Sequence, residues 1–104
     1  MKVVYLAKGV EDMSHEEVLE YWKNDHAEIV EELPGLQKYT LGEPLQPEEV
    51  EWDGVAELYF ESPQAMQEAF ESDAGQRMLE DGPNFTMESP QINIPCEEVV
   101  LYEE

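Results

Sequence analysis

The order of its apolar segments constrains the fold of this chain more than any other feature. A run of β-forming residues opens the chain and an amphipathic helical pattern follows it. Two further strand patterns, a second helical region and a last strand pattern come after. No repeat or shift of composition divides residues 1–104, so we expect one domain with a modest core.

This β-α-β-β-α-β order predicts an α+β, ferredoxin-like fold: a four-stranded antiparallel sheet with its helices on one face. Ser14 and Glu17 form a capping box that begins the first helix, and Pro34 ends it at Leu33. Ser62 and Pro63 begin the second helical region. We predict strands over 2–8, 36–41, 55–60 and 98–102, helices over 14–33 and 63–79 with a break before Asp73, a loop over 42–53 and irregular backbone over 83–95.

One titratable side chain, His26, falls within the apolar stripe of the first helix. At 100° per residue the stripe covers an arc of about 120°, with His26 near its middle and the glutamates opposite. A buried imidazole must find a partner, stay neutral or serve a site. No carboxylate lies three or four residues from His26, so a partner would come from another element. The stripe consists of Val18, Leu19, Trp22, Ile29, Val30 and Leu33.

The charge of the chain excludes several classes of partner. Twenty-six acidic residues against five basic ones give a formal net charge of −21. Nucleic acids and anionic membranes need a basic surface, which this sequence lacks. Acidic residues spread along a whole chain favour the interpretation that this is a protein of a halophile. Concentrated salt screens the repulsion between its carboxylates, so we expect the fold to loosen in low salt. The alternative is an acidic protein of an ordinary habitat.

The remaining signals favour a cytoplasmic protein without a metal. Cys96 is the only cysteine, so no disulfide forms within the chain. We find no signal peptide and no apolar run of about 18 residues. Two histidines, one cysteine and solvated glutamates make a poor metal site, and the few basic residues disfavour haem, so we expect no cofactor.

Several segments resemble the EthD-like family of the dimeric α/β-barrel superfamily. The family pairs a YW-x-x-x-HA segment with a following LPG-L and a tyrosine, and later segments match it in the same order. The matching residues here are Tyr21–Ala27, Leu33–Leu36, Tyr39, Trp52–Phe60, Ser72–Leu79 and Asn84-Phe85.

The resemblance implies a ferredoxin-like protomer that pairs sheet to sheet with a second copy into a dimeric α/β barrel. The apolar first and last strands independently predict a homodimer, because two helices cover only one face of the sheet. The family's histidine matches His26 and faces a cleft between helices and sheet. Members and cousins of the family include lactone isomerases, polyketide cyclases and cofactor-independent monooxygenases.

We therefore interpret His26 as a general acid/base in a small apolar pocket, with Tyr39 offering a hydroxyl to a substrate oxygen. The alternative is a structural core histidine. The predicted function is isomerisation, cyclisation or cofactor-independent oxygenation of a small aromatic or lactone-like compound. A non-catalytic protein that binds such a compound, or a structural dimer without a ligand, would fit the same pattern. The predicted substrate-lining residues are Trp22, Tyr5, Ile29, Phe60 and Phe85.

Overall fold

The computed structural model describes the whole chain, residues 1–104. None of its helices is long and apolar enough to span a membrane. The elements are β1 (Lys2–Gly9), α1 (His15–Tyr21), a π-helical turn (Trp22–His26), α2 (Ala27–Val30), β2 (Lys38–Gly42), β3 (Gly54–Tyr59), α3 (Pro63–Glu71), α4 (Asp73–Asp81) and β4 (Thr86–Cys96), with short 3₁₀ turns at Pro47–Glu49 and Gly82–Asn84.

The four strands form one antiparallel sheet in the order β2-β3-β1-β4, which confirms the ferredoxin-like prediction. β1 lies in the interior of this sheet, paired on both sides, which explains its apolar run. Successive side chains along a strand point to opposite faces. The inner face packs against the helices in two clusters, one around Val3, Leu58 and Phe60 and the other around Ala7 and Ala56.

The first helical region begins where the capping box predicts. Ser14 accepts a hydrogen bond from the Glu17 N–H, and the Glu17 carboxylate accepts one from the Ser14 N–H. The expectation of one regular helix is wrong in its middle, where the backbone widens into a π-helical turn. A π-helical turn holds one residue more than an α-helical turn and is frequent at functional sites. Trp22 and His26, its first and last residues, are both buried.

The prediction for the C-terminal part is wrong. Residues 86–96 form β4, although 83–95 were expected to be irregular, whereas the expected strand over 98–102 has no regular structure. β4 pairs with β1 from Gly9 opposite Thr86 to Lys2 opposite Cys96, so β1 has no residues left to pair with 98–102. Pro90 and Pro95 are compatible with this strand because it lies at the edge of the sheet.

The face of the sheet that points away from the helices is here called the outer sheet face. Its centre is apolar, with Val4 opposite Ile94 and Leu6 opposite both Val55 and Ile92. Alternation along the strands places three of the chain's five basic residues on this face and only one acidic residue. These charged residues are Lys2, Lys8, Lys38 and Glu57.

Candidate functional site

A cavity of about 260 Å³ lies between the helices and the inner face of the sheet. Small side chains on the sheet, Ala7 and Ala56, leave this space open, and aromatic rings from several elements line it. His26 faces it from the helical layer. An engineered apolar cavity of about 150 Å³ binds benzene, so this volume suits a compact one- or two-ring molecule.

His26 pairs with a carboxylate from another helix of the same layer. Its Nδ1 lies 2.8 Å from Oδ2 of Asp81, the last residue of α4, and both side chains are only about a tenth exposed. Nε2 makes no hydrogen bond. Every fully buried side-chain nitrogen and oxygen of the protein has a hydrogen-bond partner, so Nε2 is not fully buried. Nε2 is therefore accessible, and His26 lines the cavity.

The surroundings fix the protonation state of this pair. Burial lowers the pKa of His26 below its usual value of 6.5, although Asp81 acts in the opposite direction. Burial acts to raise the pKa of Asp81, but hydrogen bonds from Tyr21, His26 and Asn84 outweigh it and lower the pKa below 3.8. Near neutral pH the pair is thus a neutral imidazole and a carboxylate. An ionised carboxylate only accepts hydrogen bonds, so Nδ1 carries the hydrogen and Nε2 keeps a lone pair.

Asp81 accepts hydrogen bonds from side chains that precede and follow it in the sequence. Its Oδ1 accepts a hydrogen bond from the Tyr21 hydroxyl at 2.6 Å and from Nδ2 of Asn84 at 3.0 Å. Asn84 reaches it because the chain turns at Gly82-Pro83 directly after α4. The Thr86 hydroxyl donates to the Gly82 carbonyl at 3.0 Å and fixes this turn. Tyr21 and Asn84 therefore hold the carboxylate in place through Oδ1, while its Oδ2 orients His26.

Aromatic rings form the wall around the imidazole. The Phe85 ring centroid lies 4.7 Å from that of His26, 4.9 Å from that of Tyr21 and 5.4 Å from that of Trp22. Trp22 Nε1 donates to the Tyr39 hydroxyl at 3.0 Å. Packing between rings at these separations holds the imidazole in one orientation.

Two tyrosine hydroxyls add further polar groups to the cavity. Burial raises the pKa of Tyr5 to about 12 and that of Tyr39 to about 12, the latter despite the hydrogen bond from Trp22. Both phenols therefore stay protonated. The Tyr39 hydroxyl accepts from Trp22, so its own hydrogen is left for a ligand oxygen, and Tyr5 makes no side-chain hydrogen bond.

The structure brings five of the seven predicted site residues to the cavity. Ile29 and Phe60 do not line it: Ile29 packs against the hydrophobic cluster around Val3, and the buried Phe60 meets the Phe70 ring edge-on at 5.8 Å. The five that line the cavity are His26, Tyr39, Trp22, Tyr5 and Phe85.

Sequence reasoning missed Asp81 and Tyr21. Asp81 carries the same signal that singles out His26, because Ala74, Met78 and Asp81 follow one another at positions i, i+4 and i+7 and all are buried. One carboxylate in the apolar stripe of α4 thus matches one imidazole in the stripe of the first helix. No three histidine, cysteine or acidic side chains converge as a metal site would need.

The fold recurs in solved structures. An ethyl tert-butyl ether d (EthD) family protein from Bacillus halodurans C-125 is 21% identical, with a TM-score of 0.80 over 94% of this chain and 97% of its own. A dimeric ferredoxin-like protein of unknown function from Thermobifida fusca is 10% identical, with a TM-score of 0.70 over 89% of this chain and 85% of its own. SnoaB, a cofactor-independent oxygenase from Streptomyces nogalater, is 12% identical, with a TM-score of 0.63 over 97% of this chain and 98% of its own.

The sequence itself matches the EthD domain over residues 10–89. None of the curated proteins matches this sequence. The matched range contains fourteen of the eighteen residues that line the cavity, among them Trp22, His26, Tyr39 and Phe85. Because this match covers well over half of its length, the chain belongs to the EthD family.

Proposed function

We propose that this protein is an enzyme of small-molecule metabolism that moves a proton on a compact aromatic or lactone-like compound. The observation that carries the proposal is the pairing of His26 with Asp81 at 2.8 Å, which leaves Nε2 as a base at an aromatic cavity. A carboxylate that orients a neutral imidazole is a recurrent arrangement for general-base catalysis, which contributes about 10²–10⁴-fold to rate.

The chemistry follows from the groups present. Nε2 takes a proton from an acidic carbon or hydroxyl of the substrate, and the electron pair left behind moves onto the substrate's oxygen. A protonated tyrosine, Tyr39 or Tyr5, donates to that oxygen. The resulting enolate or phenolate is the common intermediate of isomerisation, cyclisation and, with dioxygen as co-reactant, oxygenation. The description of SnoaB as a cofactor-independent oxygenase agrees with this class of chemistry.

We further infer that two copies pair through their outer sheet faces. The centre of that face is apolar, with Ile92 38% and Ile94 48% exposed. Its few charged residues are mostly cations, so two copies meet there without the repulsion that 26 acidic residues would cause elsewhere. The Thermobifida fusca relative is described as dimeric. Light scattering in molar KCl should give twice the mass of the chain, and a monomer would contradict the pairing.

The test of the proposed chemistry needs no knowledge of the natural substrate. α-Angelica lactone and 2-indanone both carry carbon-bound protons that exchange with D₂O, and proton NMR measures the rate. We expect the wild-type protein in molar KCl to accelerate exchange of at least one compound. His26→Ala should return the rate to that of buffer, while His15→Ala, away from the cavity, should keep the wild-type rate.

A non-catalytic binding protein is the second candidate, because an aromatic cavity suits binding and catalysis equally. It predicts that both compounds bind, with shifted protein resonances, and that neither exchanges faster than in buffer. Exchange by His26→Ala at the wild-type rate would contradict the role of the imidazole. Circular dichroism of each variant separates loss of the base from loss of the fold.

A further inference from the structure

The cavity is lined without a single lysine or arginine. Eleven of its eighteen lining residues are hydrophobic, and Glu88 is the one carboxylate among them. The five cations lie elsewhere, three on the outer sheet face and two, Lys23 and Arg77, exposed on the helical layer. A carboxylate or phosphate ligand would enter a chain of net charge −21 and find no cationic partner.

The inner face of β4 differs chemically from that of the other strands. β1 and β3 place mostly apolar side chains at inner positions, whereas β4 places Asn93 opposite Tyr5 and Gln91 opposite Ala7. Both amides line the cavity and both are exposed, so they lie where it opens to solvent at the edge of the sheet. His26 lies across from them, on the helical layer.

The two amides leave complementary groups free. Nδ2 of Asn93 donates to Oε1 of Gln91 at 3.4 Å. Oδ1 of Asn93 then remains as an acceptor and Nε2 of Gln91 as a donor, since neither atom takes part in that hydrogen bond. Such a pair accepts from a hydroxyl and donates to a neighbouring carbonyl.

We propose that Gln91 and Asn93 recognise the ligand of this cavity, and that the ligand is an uncharged small molecule with neighbouring carbonyl and hydroxyl oxygens. This inference rests on the proposed function for the identity of the site, but it concerns binding and not proton transfer. The amides select the ligand at the sheet wall, and the apolar lining with its lack of cations rejects acids of the same shape.

Salicylamide and salicylate test this selection because they share a ring and a hydroxyl and differ in a neutral amide against a carboxylate. We expect calorimetry on the wild-type protein in molar KCl to show salicylamide binding at least tenfold more tightly than salicylate. Gln91→Met and Asn93→Leu should each weaken salicylamide binding about fivefold, the loss expected for one neutral hydrogen bond. Gln76→Met, a matched change at an exposed position of α4, should leave binding unchanged.

Equal binding of the two compounds, failure of both to bind, or salicylamide binding that neither β4 variant weakens would overturn the inference. The binding experiment and the exchange experiment together separate this inference from the proposed function. If the protein prefers salicylamide but accelerates no exchange, recognition by Gln91 and Asn93 stands and the catalytic proposal fails. If the protein accelerates exchange but binds salicylate as tightly as salicylamide, the catalytic proposal stands and the recognition inference fails.

Discussion

Two histidine–carboxylate pairs lie in this molecule, His26 with Asp81 and His15 with Asp53, and their contacts are nearly equal in length. Nδ1 lies 2.8 Å from the carboxylate oxygen in the first pair and 2.7 Å in the second. The difference lies in what surrounds them. The side chains of the first pair are about a tenth exposed, and those of the second about a fifth.

The second carboxylate oxygen shows what each pair does. In Asp53 it accepts the Gly9 N–H at 2.6 Å, so this pair joins the end of β1 and the start of β3 to the start of α1. In Asp81 it accepts from side chains of the site, and the imidazole beyond faces a cavity. The contact distance alone does not indicate function; the environment of the free ring nitrogen does.

Replacing each carboxylate by its amide should separate the two pairs most strongly. Asp81→Asn removes the charge that orients His26 and favours the wrong tautomer, so we expect carbon-acid exchange to fall by about 100-fold or more. Asp53→Asn keeps an oxygen for the Gly9 N–H and should leave exchange within about twofold of wild type. Equal losses in both variants, measured by NMR in D₂O, would remove the distinction.

Two glycines extend the comparison to packing. A Cβ at Gly54 would lie 2.5 Å from Cζ3 of Trp22, and one at Gly9 would clash with Cγ2 of Val18. Both Gly→Ala variants should lose about 1–3 kcal/mol of unfolding free energy in urea, because overpacking forces neighbours aside. Only Gly54→Ala should also weaken salicylamide binding, since Trp22 is a wall of the cavity. Weaker binding by Gly9→Ala would contradict this.

The pH dependence of stability should reveal the buried imidazole. Burial lowers the pKa of His26 below 6.5, so below pH 6.5 the unfolded chain gains a proton that the folded chain does not, and stability falls. One such proton contributes at most about 1.4 kcal/mol per pH unit. His26→Gln should therefore have a shallower loss of unfolding free energy between pH 6.5 and 5 than wild type. Lys23→Gln, exposed in the same turn, should keep the wild-type slope.

The smallest effect should come from Tyr21→Phe. This change removes one donor to Asp81 and leaves those from His26 and Asn84 in place. We expect less than a tenfold decrease in exchange rate, because the carboxylate stays ionised and still holds the ring. Tyr102→Phe is the matched control, because residue Tyr102 is 83% exposed. A Tyr21→Phe loss as large as that of Asp81→Asn would mean that the phenol itself takes part in proton transfer.

Local signals predicted most of the fold, and they failed where pairing decided the structure. The capping box at Ser14 and the Ser62-Pro63 start depend on residues three apart, and both are found where expected. β4 depends on β1, whose paired residues lie 77 to 94 positions away, and two prolines obscured its alternation. The apolar run at 99–102 looked more like a strand than β4 does, but no edge of β1 remained for it.

The candidate site shows the same contrast between what local signals predict and what tertiary packing decides. The helical pattern placed His26 on a buried face, because the period of one helix suffices for that. Its partner Asp81 is one of twenty-six acidic residues, 55 positions along the chain, and only the packing of α4 brings the two together. The positions of Ile29 and Phe60 could not be predicted, because inward-facing residues fill either the core or the cavity lining, and tertiary packing decides which.

The π-helical turn at Trp22–His26 makes the fold and the site separable by a single deletion. It carries one residue more than a regular turn, so removing exposed Asn24 should restore an α-helix without rotating α2 relative to α1. The apolar faces on both sides and the contact of His26 with Asp81 should persist, whereas His26 would follow Trp22 by three positions instead of four. The extra residue therefore behaves like a removable spacer between two buried rings of the cavity wall, and its deletion tests whether the cavity needs their present separation.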